Sequence, residues 1–155
     1  MTDFTRSLLA ALSLAPSLGL AACVAETAEV PEKIYDLAPR RIDDARKAPP
    51  PTDASPKQQI RFLLARALPD VAACLAGTNH PAGTVDVTLS IALDPGGPAS
   101  VDGALVEAFG DARLAACIRG ALLEADVSSL AAPTTAERWT IHAPLLVDAN
   151  YTGKL

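Results

Sequence analysis

Between residues 85 and 93 the chain alternates strictly, with Val85, Val87, Leu89, Ile91 and Leu93 separated by Asp86, Thr88, Ser90 and Ala92. A period of two with one apolar face predicts a half-buried strand. The following Asp94-Pro95-Gly96-Gly97-Pro98 is turn chemistry, and a second strand through Val101 to Val106 closes a hairpin. Upstream the period changes. Ile60, Leu63, Leu64, Ala67, Leu68, Val71, Cys74 and Leu75 recur at three-and-four spacing, the stripe of an amphipathic helix. Ser55, Pro56 and Gln58 read as its capped start and Gly77 as its stop, so a helix is predicted over 56–76, kinked or split at Pro69. Downstream, Asp111 opens a second helix with Leu114, Cys117, Ile118, Ala121, Leu122 and Ala125 on its inner face, and Gly120 within it suggests close packing on the sheet. Arg138 to Val147 reads as a last strand. Trp139, Ile141 and Ala143 lie on one side and Thr140 and His142 on the wet side, with Trp139 expected in the core and an exposed anchor for a partner as its alternative role, while Pro144 marks a sheet edge or bulge.

This order, α-β-β-α-β, predicts an α+β fold: a two-layer sandwich with two helices packed on a small antiparallel sheet, spanning 57–148 and followed by a short tail, 149–155. No internal repeat interrupts it.

The N-terminal third has a different character. Residues 7–22, SLLAALSLAPSLGLAA, form an apolar run after Arg6, shorter than the ~20 residues a membrane span needs, with its helix breakers near the far end. Leu20-Ala21-Ala22-Cys23 resembles the bacterial lipobox. The resemblance implies a signal peptide over 1–22, removed on export, and diacylation of Cys23 with palmitate-like chains, which anchor firmly where a single chain holds only marginally. Val24 in the second mature position points to the outer membrane. Residues 23–56 contain six prolines and twelve charged side chains without apolar periodicity. They are expected to be a tether that builds no core.

Composition narrows the function. The 155 residues are 50% hydrophobic and 4% aromatic, and 13 basic against 18 acidic side chains leave a net charge of −5. Nucleic acid is therefore not an expected partner. Two histidines do not make a metal site, which needs three or four converging ligands. His80 falls in a loop and His142 on a wet face, where solvated side chains are expected. There is no G-x-S-x-G elbow. Asp86 and Asp94 have local structural reasons to stand in a polar strand face and a turn. Catalysis and cofactors are not expected.

The element order, with GTVDVTLSIALDPGG, GDARLAACI and WTIHAPLLV, resembles the TonB C-terminal-like superfamily, and within it the AgmX/PglI C-terminal domain group of myxobacterial envelope proteins. Gly83, Gly97, Cys74 and Cys117 stand where that group has recurring glycines and a cysteine pair. The resemblance implies a protein-binding module that lends a sheet edge to an envelope protein or to another copy of itself. The closing strand, at Thr140, Ile141 and His142, is the candidate edge. With Cys23 lipidated, Cys74 and Cys117 remain; in an oxidising compartment they are expected to form a disulfide, with two buried free thiols as the alternative. A second functional reading is a small-ligand or cell-wall binder using a pocket between helices and sheet.

Overall fold

The strictly alternating run becomes the centre of the sheet. The computed structural model describes residues 29–45 and 55–152. The segment 1–22 and Cys23 lie outside the described residues, as do 24–28, 46–54 and 153–155. In chain order the elements are β1 (Glu32–Asp36), β2 (Arg40–Arg41), α1 (Ile42–Ala45), α2 (Pro56–Leu75), β3 (Gly83–Leu93), β4 (Ser100–Ala108), α3 (Ala112–Leu123), β5 (Glu137–His142) and β6 (Leu145–Val147). The fold is α+β, and the predicted order reappears as α2, β3, β4, α3 and β5.

β3 has a neighbour on each side. β4 runs antiparallel to it from Val85↔Ala108 to Ala92↔Ser100, with a bulge between Ser90 and Ile91. The opposite edge is shared: β5 pairs with the second half of β3 and β6 with its start, both antiparallel. The interruption falls at Ala143 and Pro144, because proline has no amide to donate; the Ala143 amide still reaches the Val87 carbonyl at 2.8 Å.

The odd-numbered side chains of β3, from Val85 to Leu93, are at most 2% exposed and share one cluster with Ile60, Leu63, Leu68 and Val71 of α2 and Leu114, Ile118 and Leu122 of α3. Each such burial contributes roughly 1.5–3 kcal/mol relative to an exposed side chain. Trp139, 5% exposed, and Ile141, fully buried, join the same cluster from β5.

The sheet differs from the expected one in being mixed. β1 runs parallel to β5 and β2 parallel to β6, so the stretch expected to be a tether, 23–56, contributes two strands, a short helix and a buried Ile42. Its composition is too charged for a core of its own, but pairing along a strand that is already buried satisfies its backbone, and Tyr35, Leu37 and Ile42 supply the apolar contacts. The tail is tied down too: Tyr151 is 7% exposed and its hydroxyl donates to Asp43 Oδ1 at 2.9 Å.

The helices also depart from expectation in detail. α2 is continuous through Pro69, which sits on the exposed face between the buried Leu68 and Val71. Burial of that stripe outweighs one missing backbone bond. Ser55 caps α2 without a side-chain cap bond, and its carbonyl accepts instead from the amides of Gln58 and Gln59 at 3.0 and 3.1 Å. Asp111 caps α3 as expected, accepting from the amides of Arg113 and Leu114 at 2.8 and 3.1 Å. Gly120 is exposed, and a Cβ there would meet nothing within 4 Å, so close packing is not its reason.

Candidate strand-addition edge

The edge expected to be free is occupied by the chain itself. β1 places Ile34 opposite Thr140, Tyr35 opposite Ile141 and Asp36 opposite His142. The two ends of this strap are pinned by main-chain bonds: the Arg138 amide donates to the Pro31 carbonyl at 3.0 Å, and the Leu37 amide to the His142 carbonyl at 2.9 Å. Beyond the bend, the Arg40 amide donates to the Pro144 carbonyl at 3.2 Å. Main-chain pairing of this kind is indifferent to side-chain identity, which is how a charged segment can take the position.

Side chains then select this segment and its register. Lys33 Nζ reaches both carboxylate oxygens of Glu137, at 2.8 and 2.7 Å. The Tyr35 ring meets the Trp139 ring edge-on with centroids 5.2 Å apart, a geometry worth ~0.5–1.5 kcal/mol beyond area burial. The Trp139 indole N–H donates to Glu137 Oε2 at 3.0 Å, and the Thr140 hydroxyl to Glu32 Oε1 at 2.5 Å. Arg41 pairs with Asp148 beside β6.

Titration follows from this geometry. The hydrogen bond from Lys33, then that from Trp139, holds the Glu137 carboxyl below its ordinary pKa. The same Glu137 bond raises the Lys33 ammonium above its own. A depressed carboxyl stabilises the fold above the ordinary carboxylate range and ceases to do so as pH falls through the depressed value; a raised ammonium stabilises below the ordinary lysine range and ceases to as pH rises past it. Acid is therefore expected to loosen the strap. Trp139 is the sole tryptophan, so its emission should shift to the red as pH falls below the ordinary carboxylate range, before far-ultraviolet circular dichroism changes. Glu137→Gln should abolish that separate acid phase; an acid phase of unchanged midpoint in the variant would show that another group is responsible.

The other singled-out residues are scattered. Cys74 of α2 and Cys117 of α3 form a disulfide, with Cα atoms 5.8 Å apart. It lies on the solvent side of the helix seam, since Cys117 is exposed and Cys74 half-buried, not on the inner faces expected for both. His80 is not solvated: it is 5% exposed, stacked on Phe109 with ring centroids 5.2 Å apart, and its Nδ1 lies 3.0 Å from the Pro81 carbonyl. His142 does face the open side, with Nδ1 3.0 Å from the Thr88 hydroxyl. The Ser128 hydroxyl donates to Asp126 in its own turn. Among the described residues no group of three His, Cys, Asp or Glu side chains is placed to hold a metal ion, and no helix is long and apolar enough to cross a membrane.

A cleft between strap, α2 and the β5–β6 bend is lined by Leu37, Arg40, Arg61, Leu64 and Pro144 and encloses about 30 Å³. That is room for about one water molecule.

Neither the protein-family models, the curated proteins nor the solved structures contain a match to this chain.

Proposed function

We propose that this chain is a non-catalytic interaction module of a bacterial envelope: an outer-membrane lipoprotein, acylated at Cys23 and facing the periplasm, whose two-layer, TonB C-terminal-like domain binds an envelope protein or a second copy by strand addition. The observation that supports this most is the strap. The β5–β6 edge takes up an extended segment, with Lys33 meeting Glu137 across 104 residues of chain, through main-chain bonds for affinity and alternate side chains for selection. A partner at Thr140, Ile141 and His142 competes with β1 for that edge. Because the competitor is tethered, its effective concentration is on the order of millimolar, so partner capture is weak until the strap is loosened.

The small-ligand reading gains no support from the cleft between strap and helix, which has room for about one water molecule.

Leu37→Pro deletes the amide that donates to the His142 carbonyl. A labelled peptide of residues 29–41, added in trans, should bind this variant at least about tenfold more tightly than it binds the unaltered chain, because one or two lost hydrogen bonds are worth about that ratio. Equal binding to both would remove the edge from consideration. Membrane attachment has its own test: the mass of the protein recovered from its envelope should lack residues 1–22 and include acyl chains on Cys23.

A further inference from the structure

The opposite side of the sheet ends in β4. Among the described residues β4 pairs with β3 through one edge and with no strand through the other. An open strand of nine residues offers unpaired donors and acceptors that proteins usually cover or blunt. Here it is not blunted by lysine or proline, and Leu105 in its middle is 63% exposed.

Two further features lie along the same edge. Glu107 stands directly opposite Asp86 across the β3–β4 pair, both exposed. Like charges so placed destabilise a sheet, and among the described residues neither has a cationic partner. An open groove of about 300 Å³ runs between the end of β4 and the first turns of α3, lined by Val106, Glu107, Ala108, Ala112 and Ala115. The small alanines leave it empty on the side where the core-facing side chains of an added strand would project.

We infer that the free edge of β4 is a second docking site, for an extended segment of another protein in which apolar residues alternate with basic ones. The backbone of that segment pairs with β4. Its apolar side chains enter the groove against Val106, Ala112 and Ala115, and its basic side chains, on the open face, answer Asp86 and Glu107. A second copy of this chain fits badly there: β4 contains no base, its Asp102 already pairs with Arg138 at 3.0 Å, and Glu107 of one copy finds no cation on the β4 of the other. This site goes beyond the reading of the β5 edge, because it uses the other side of the sheet and Leu37→Pro leaves it untouched.

The probe is a blocked, fluorescein-labelled octapeptide alternating arginine with valine, titrated against the full chain by anisotropy. Glu107→Lys should weaken binding by at least about tenfold and should gain binding of the matching glutamate–valine peptide. Glu124→Lys changes the net charge equally at a site away from the groove and should leave the affinity within about twofold. Ala112→Trp, at an exposed position, fills the groove and should abolish binding with the melting temperature unchanged. The proposal is overturned if the peptide does not bind, if Glu124→Lys weakens it as much as Glu107→Lys, or if Ala112→Trp leaves it bound. Dimerisation of the chain that Ala112→Trp blocks would assign the edge to a second copy and equally overturn it.

Discussion

Replacing both bridge cysteines, Cys74→Ala together with Cys117→Ala, is expected to lower the unfolding temperature by roughly 10–20 °C, since a domain somewhat above 100 residues shifts about 3–5 °C per kcal/mol. The cross-link spans 43 residues, and in the chain-entropy model closing such a loop stabilises by about 4 kcal/mol. Because Cys117 is exposed and Cys74 half-buried, alanine there removes little packing, so the loss reports the constraint and not a cavity. That separation can be checked: reducing the unaltered protein should reproduce the melting temperature of the double variant. A loss below about 1 kcal/mol would mean that α2 and α3 hold together without the bridge. Intact mass before and after reduction and alkylation, with two thiols appearing only on reduction, verifies the starting state.

Trp139→Ala is expected to destabilise the fold by about 3–5 kcal/mol, the range for truncating a buried large aromatic, and to release the strap as well. The two effects share one side chain. Trp139 is 5% exposed within the main cluster, yet it also stacks edge-on with Tyr35 and orients Glu137 towards Lys33. Trp139→Phe keeps an aromatic edge for Tyr35 but loses the indole donor, and should cost about 1–2 kcal/mol. Denaturant melts of both variants, with the exchange rates of β1 amides measured beside them, check the pair. Equal amide protection in all three proteins would detach Trp139 from the strap.

What could be read from the residues divides along physical lines. β3 was legible because nine residues keep a period of two, and α2 and α3 because their apolar stripes are long and, for α3, because Asp111 is a strong cap. Such signals are local. β1 was not legible: EKIYD has three charges in five residues, and each of its register partners in β5 lies 106 residues further along the chain, a pairing that only the assembled sheet defines. The candidate edge at Thr140, Ile141 and His142 depended on that same segment: with β1 paired to it, β5 lies inside the sheet, between β1 and β3. The hairpin register turned on a bulge at Ser90 and Ile91, which no residue there announces. His80 sits in a loop that reads as solvated and is turned inward by Phe109, held at a φ of 53°. The groove beside β4 had a faint trace in the run of alanines that opens α3, and the unpaired Asp86 and Glu107 became neighbours only with the register.

Occupation of the β5 edge by β1 is tested most directly by amide hydrogen exchange along Glu137–His142 in the full chain, in Leu37→Pro, and in Leu37→Pro saturated with the peptide of residues 29–41. Slow exchange should be found in the full chain, faster exchange at the β1-facing amides, among them that of Arg138, in the variant, and slow exchange again once the peptide is added. Exchange that is equally slow in all three, or that stays fast with the peptide present, would contradict a strap held by strand addition.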